Sequence, residues 1–302
     1  MRIINLTAEM QRLANAARLA GERIALVPTM GYLHEGHVSL MREARRRATM
    51  VAVSIFVNPT QFGPNEDLAS YPRDFERDCE LMRTVPVDVV FAPQPNDVYG
   101  PGFQSVVEVT ELTKGLCGAH RPGHFCGVTT VVAKLFNIVK PHLALFGQKD
   151  YQQLRAIQQM TRDLNFDIEI VPMKTVRESD GLAMSSRNAY LSPAERKTAL
   201  ALSRTLKAAS ASFESGAVEP DAVLKSALTE LKRETGLQIE YVELLDAETL
   251  RPPQNLNSPV VVAIAARVGK TRLIDNVVLT RKSSSRLSTS KPSENRPQES
   301  HL

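Results

Sequence analysis

Between residues 24 and 172, short apolar runs alternate with longer stretches of helical period, a rhythm that few folds accommodate. The runs 24–27, 51–57, 87–91, 143–146 and 168–171 read as strands, and 38–49, 73–84, 128–139 and 151–164 read as the helices between them. Strands that alternate with helices predict an α/β fold, here a Rossmann-like doubly wound parallel sheet with crossover helices. In such a sheet the ligand crevice lies at the carboxyl ends of the strands. Three polar segments that follow strands should therefore converge: Pro28-Thr29-Met30-Gly31, Asn58-Pro59-Thr60-Gln61-Phe62-Gly63 and Gly147-Gln148-Lys149-Asp150.

After Ser192 the rhythm changes. Ser192 and Glu195 are spaced for a capping box at the head of an Ala/Leu-rich helix that runs to about Phe213. A second helix is expected over 221–234, ending at Gly236, and three β-branched runs, 239–245, 260–266 and 273–279, read as strands. The chain thus divides into a Rossmann-like nucleotide- and substrate-binding domain, 1–176, and a smaller α+β lid domain, 177–282. Residues 283–302 are rich in Ser, Pro, Lys, Glu and Asn, without apolar period, and are expected to form a disordered tail.

A net charge of +4 raises the question of nucleic acid, but the excess is small. Part of it comes from Arg45-Arg46-Arg47, read as a solvated helix face, and part from the last twenty residues. No nucleic-acid partner is expected. Cys79, Cys117 and Cys126 are too few and too scattered for a disulfide framework, which points to a reducing cytoplasm. The first ten residues hold no apolar run, so no signal peptide is expected. No stretch reaches the roughly 18 consecutive apolar residues of a membrane span.

Five segments carry chemistry. The first is His34-Glu35-Gly36-His37, where a strand gives way to a helix. Unpaired N–H groups at a helix start favour an anion, two imidazoles three residues apart face it from one turn, and Gly36 removes a side chain that would bar it. Without a ligand, the same residues are a loop histidine and a helix-start histidine. In the second, Asn58 and Gln61 can each donate and accept, which suits a substrate bearing hydroxyl and carboxylate groups; a plain Pro/Gly turn is the alternative. The third, His120-Arg121-Pro122-Gly123-His124, offers another histidine pair, and Arg121 could fork onto a carboxylate or simply brace a loop. In the fourth, Lys149 supplies a compact cation, and Asp150 can cap the next helix or bond a ribose hydroxyl. The fifth, Val176 to Asn188, places Ser185-Ser186-Arg187 as a clamp for a polyphosphate, movable at Gly181, or as a solvent loop. Neither a Walker P-loop nor a G-x-S-x-G elbow is present.

Taken together, PTMGYLHEGH, FVNPTQFGPNEDLASYPRD, RPGHFCGVTTVVAKLFNIVKP, FGQKDYQQL and VRESDGLAMSSRNAYL make the chain resemble the pantothenate synthetases. These are the pantoate:β-alanine ligases of the His-x-Gly-His nucleotidyltransferase superfamily. The resemblance runs to about residue 282. It implies that ATP and pantoate form a pantoyl adenylate and pyrophosphate, and that β-alanine then releases pantothenate and AMP. By position, His37, His34 and Lys149 would be catalytic, with His37 as proton donor. An ATP envelope would comprise Met30, Gly31, Tyr32, Leu33, His34, Glu35, Gly36, His37, Gly147, Gln148, Lys149, Asp150, Val176, Met184, Ser185, Ser186 and Arg187. Gln61 and Gln153 would hold pantoate, with Gln61 also near β-alanine. Mg2+ would accompany the triphosphate, its ligands unassigned, and the assembly would be a homodimer. Gln148 departs from the family, which commonly has an acid there. Other adenylyl or cytidylyl transferases and class I aminoacyl-tRNA synthetase relatives share the histidine motif, but NPTQFG and FGQKDYQQL argue against them.

Overall fold

The computed structural model describes residues 1–281, so the expected tail, 283–302, lies outside the described residues. The chain opens with β1 (Arg2–Ile4) and α1 (Thr7–Leu19), followed by β2 (Ile24–Thr29), α2 (Glu35–Arg47), β3 (Met50–Ile55), α3 (Phe75–Arg83) and β4 (Val89–Phe91). Next come α4 (Pro95–Val98), α5 (Leu116–His120), α6 (His124–Val139), β5 (Leu143–Gly147), α7 (Tyr151–Asp163) and β6 (Glu169–Met173). These six strands form one parallel sheet in the order β1-β4-β3-β2-β5-β6.

Burial on both faces explains the unbroken apolar runs. Ile24, Leu26, Ala52, Ala144 and Phe146 pack with residues of α1, α6 and α7 on one face. Their alternates Ala25, Val27, Val53, Leu143 and Leu145 pack with α2 and α3 on the other. From β2 the chain winds outward through β3 and β4, then returns to place β5 on the opposite side of β2. The loops after β2 and β5 therefore flank the switch point of the sheet, where such folds bind ligands.

The C-terminal part contains α8 (Pro193–Glu214), α9 (Pro220–Leu231), β7 (Leu237–Asp246), β8 (Val260–Val268) and β9 (Thr271–Leu279), the strands forming an antiparallel sheet in the order β7-β8-β9. The expected capping box is formed: the Ser192 hydroxyl accepts from the Glu195 N–H, and the Glu195 carboxylate accepts from the Ser192 N–H. On one face of β8, Val260, Val262, Ile264 and Ala266 pack with α8 and α9. Val261, Ala263 and Ala265 on the other face meet Leu116, Phe125 and Ala156 of α5, α6 and α7. The two sheets thus share an apolar seam.

Some expectations need correction. Neither β1 nor α1 is signalled by periodicity, because β1 has three residues and the buried stripe of α1 is only Met10, Ala14 and Ala17. Helix α9 stops at Leu231, short of Gly236, whose φ of 87° turns the chain into β7. The arginine triplet is not a free solvated face. Arg45 donates to Asp88 at 3.0 Å and to the Thr49 carbonyl at 2.6 Å, and Arg47 donates to Glu169 at 2.8 Å. Only Arg46 pairs within its own helix, with Glu43. Among the described residues, no helix is long and apolar enough to cross a membrane.

Candidate active site

The turn after β2 delivers two imidazoles in a fixed state. His34 is the N-cap of α2, and its Nδ1 accepts from the Gly36 N–H at 3.2 Å. The Nδ1 of His37 accepts from the His34 N–H at 3.3 Å. An imidazole that accepts at Nδ1 carries its proton at Nε2 when neutral. Both rings are held neutral: burial, then the charge of Lys149, lowers the His34 pKa to about 4. Burial, His34 and Lys149 push His37 well below the ordinary histidine range. The pair, with centroids 4.1 Å apart, therefore presents two Nε2–H donors. Gly36 matters for a reason beyond access to the backbone. A Cβ there would lie 2.8 Å from Cε1 of His34, so only glycine lets that ring fold over the helix start.

The turn's conformation is costly and is held from α3. Gly31 and Tyr32 both have positive φ, 82° and 50°. Buried Asp78 accepts from the N–H groups of Tyr32 and Leu33 at 2.7 and 2.6 Å, and Arg77 donates to the Leu33 carbonyl at 3.0 Å. Burial pushes the Asp78 carboxyl upward despite those two donors. Sequence reading missed Asp78. Its signal is an acid four residues before buried Met82, on the apolar side of a helix.

Of the amide pair, only Gln61 is left for a ligand. Asn58 is buried and fully engaged: its Oδ1 accepts from Thr60 and Tyr99, and its Nδ2 donates to Gln61 Oε1 at 3.1 Å and to the Gly127 carbonyl at 3.1 Å. That bond fixes the Gln61 amide with its NH2 outward, 3.1 Å from the Met30 sulfur.

In the second histidine segment, Arg121 and His124 line the site but are engaged within the chain. Arg121 forks onto Glu66, with one bond of 2.7 Å, rather than presenting its guanidinium to a ligand. His124 Nδ1 donates to the Gln61 carbonyl at 2.8 Å, and its Nε2 accepts from Arg121 at 3.0 Å. Both ring nitrogens are occupied, while His120 lies against the Tyr241 ring.

Lys149 sits in a single 3₁₀ turn, Gln148–Asp150, between β5 and α7, and no carboxylate of the described residues pairs with it. Asp150 occupies the N-cap position of α7, but its side chain makes no capping bond, contrary to expectation. The clamp residues are docked rather than free. Ser186 donates to the Tyr32 carbonyl at 3.1 Å, Ser185 caps the turn at Arg187, and Arg187 forks onto Asp67 with two bonds of 2.8 Å. Gly181, with φ of 95°, makes the turn at the base of this loop.

Two adjoining cavities result. One of about 240 Å³ is lined by Met30, His34, Gly36, His37, Gln61, Gly147, Lys149, Asp150, Gln153, Val176, Met184, Ser185, Ser186 and Arg187, so the three strand-end segments do converge. The other, about 360 Å³, opens between the two sheets and shares Arg121, His124, Lys149, Asp150, Gln153, Ser185 and Arg187 with the first. Five residues of the expected envelope line neither: Gly31, Tyr32, Leu33, Glu35 and Gln148. Leu33 is in the core, Glu35 pairs outward with Arg42, and Gln148 offers its carbonyl to Asn276.

Neutral imidazole donors, an unpaired lysine and two amides at the switch point of a parallel sheet define a nucleotide-handling α/β enzyme. The chain belongs to the pantoate-β-alanine ligase family, whose model matches residues 2–278. It is 56% identical over 279 residues to a pantothenate synthetase of Geobacter sulfurreducens, covering 92% of this chain and 99% of that protein. A crystal structure of pantothenate synthetase from Thermus thermophilus superposes with a TM-score of 0.87 at 45% identity, over 92% of this chain and 99% of that one. A Francisella tularensis pantoate-β-alanine ligase complexed with β-γ ATP and β-alanine aligns with a TM-score of 0.76 at 33% identity, over 92% of this chain and 97% of that one.

Proposed function

We infer that this chain condenses pantoate with β-alanine, using ATP, to give pantothenate, AMP and pyrophosphate. In the first step a pantoate carboxylate oxygen attacks the α-phosphorus of ATP and pyrophosphate leaves. In the second the β-alanine amine attacks the pantoyl carbonyl, loses a proton and expels AMP. The observation that carries the assignment of residues is the cavity in which two Nε2–H donors, Lys149, Gln61 and Gln153 meet. No enzyme nucleophile is needed, because the substrate supplies it; catalysis comes from positioning and charge neutralisation.

The two imidazoles donate hydrogen bonds to the phosphates from Nε2. His37 acts first as a neutral donor, and becomes an acid only if bound phosphate raises its pKa. Lys149 offsets the charge that builds on departing pyrophosphate. Gln61, its orientation set by Asn58, and Gln153 hold pantoate, and Gln61 lies near the amine's path. Ser185, Ser186 and Val176 border the nucleotide; Arg187, pinned to Asp67, closes the cavity's edge and reaches phosphate if that pair opens.

Mg2+ fits this donor set as a passenger on the triphosphate. Among the described residues, no group of three His, Cys, Asp or Glu side chains could cage a metal, whereas Mg2+ commonly uses one carboxylate plus phosphates and water. Asp150, facing both cavities without a capping bond, would be that carboxylate. When bound, the ion would neutralise phosphate charge.

A domain division near residue 176 is proposed because Leu182 already packs in the core of α8, α9 and the antiparallel sheet. A cytoplasmic setting is proposed because all three cysteines are unpaired. A homodimer rests on the family resemblance, and sedimentation would test it. The activity itself is tested by AMP and pyrophosphate release from ATP and pantoate, with and without β-alanine. Absence of both AMP and pantothenate from the complete mixture would sink the assignment.

A further inference from the structure

The Lys149 turn, Gln148–Asp150, joins β5 directly to α7. Asp150, its last residue and the N-cap of α7, makes no side-chain capping bond. The tie comes from the other sheet. Asn276 on β9, 6% exposed, donates its amide to the carbonyls of Gln148 at 2.9 Å and Lys149 at 2.8 Å. One amide nitrogen has two hydrogens, so each consecutive carbonyl receives one.

The adjacent residue fixes Asn276 in turn. The Asp275 carboxylate accepts from the Asn276 N–H at 2.8 Å and from both arms of Arg177, at 2.6 and 3.0 Å. Arg177 also donates to the Gly181 carbonyl and pairs across a bridge with Ala183, at the base of the Ser185–Arg187 loop. Two neighbouring side chains of β9 thus reach two different walls of the cavity.

We propose that Asn276 is a positioning residue for the ligase reaction: from the antiparallel sheet, it sets the Lys149 ammonium against the transferring phosphate. The proposal rests on the reading of Lys149 given above. A lysine side chain pivots on its backbone, so a turn released from Asn276 lets the charge wander. A misplacement of about 1 Å can cost about 10²-fold in rate. The effect should fall on turnover, because the carbonyls themselves face Asn276 rather than substrate.

A double-mutant cycle tests this, with kcat and KM for ATP measured on the full-length chain. Lys149→Ala alone should lower kcat strongly; wild-type turnover there would remove the lysine's role and this proposal with it. Given that loss, Asn276→Ala should lower the melting temperature, since two carbonyls lose their donor, but should also lower kcat of the folded enzyme about 10²-fold, and should add little to the kinetic loss in a Lys149→Ala background. If the two losses multiply, Asn276 acts elsewhere and only the positioning claim fails. Wild-type kcat in Asn276→Ala would also overturn it. Should Asn276→Ala not fold, Asn276→Ser, which keeps one donor, enters the same cycle, with a smaller loss that again vanishes without Lys149.

Discussion

Two turns in this chain are spelled almost alike and do opposite things. His34-Glu35-Gly36-His37 and Arg121-Pro122-Gly123-His124 each put basic residues around a glycine at the head of a helix. At the first, backbone N–H groups occupy the Nδ1 atoms and leave both Nε2–H groups without a partner among the described residues. At the second, Gln61 and Arg121 occupy both nitrogens of His124, and Glu66 occupies Arg121. Function follows from which donors the fold leaves over. A donor left without an internal partner where it opens on the cavity is available to a ligand, and a satisfied network stiffens the wall around it.

The largest effect should separate the two histidines. His37→Ala removes a donor to developing charge and should lower kcat by about 10²- to 10³-fold, with little change in melting temperature. His124→Ala breaks two internal bonds and should instead destabilise by about 1–3 kcal/mol while keeping kcat within about tenfold. Steady-state kinetics beside thermal unfolding reads both. Equal kinetic losses at the two sites would dissolve the distinction.

The glycines divide in the same way, for different physical reasons. Gly36 has ordinary backbone angles but no room, because its Cβ would meet the His34 ring. Gly123 has room but a φ of 79°. Gly36→Ala should displace an imidazole and cut turnover by about 10- to 10²-fold without lowering the melting temperature, since alanine suits a helix. Gly123→Ala should cost about 1–2 kcal/mol of stability and spare turnover. A Gly36→Ala enzyme with full activity would show that His34 need not lie over the helix start.

That the turns look alike in sequence shows what a sequence can and cannot carry. The sheet was legible because strands buried on both faces leave unbroken apolar runs, and the segments after β2 and β5 could be placed together from topology alone. The contacts that decide function join distant residues. Asp78 lies 45 positions from Leu33, Asp67 lies 120 from Arg187, and Asn276 lies 127 from Lys149. No periodicity encodes such pairings. Hence Arg187 and Arg121 could each be read either as a ligand group or as a loop residue, Asp150 either as a cap or as a ribose contact, and only the fold shows the Asp67 and Glu66 pairs and the missing capping bond.

Asp78 supports only the first turn, so its loss should be felt there alone. Asp78→Asn keeps one acceptor but turns an NH2 toward the second N–H, and should destabilise by about 1–3 kcal/mol. Because Tyr32 and Leu33 then lose their anchor, KM for ATP should rise while KM for pantoate stays near wild type. A parallel rise in both would mean that the acid braces the whole cavity.

The smallest effect is a pH dependence, and it too separates the turns. Burial, with Lys149 beside His34 and Arg121 beside His124, lowers both pKa values from 6.5 to about 4. Between those values the unfolded chain binds protons that the native state refuses, so each residue's contribution is intact above about pH 6.5 and is lost as pH falls toward 4. Replacing either ring, by His34→Asn or His124→Asn, should make the fall in melting temperature over that window shallower. Bound ATP distinguishes them: phosphate beside His34 favours its charged form, whereas His124 has no free nitrogen to offer. Saturating ATP should therefore flatten the wild-type profile and that of His124→Asn, and leave His34→Asn closer to its ATP-free slope. Identical flattening in all three would mean that the bound anion does not act through His34.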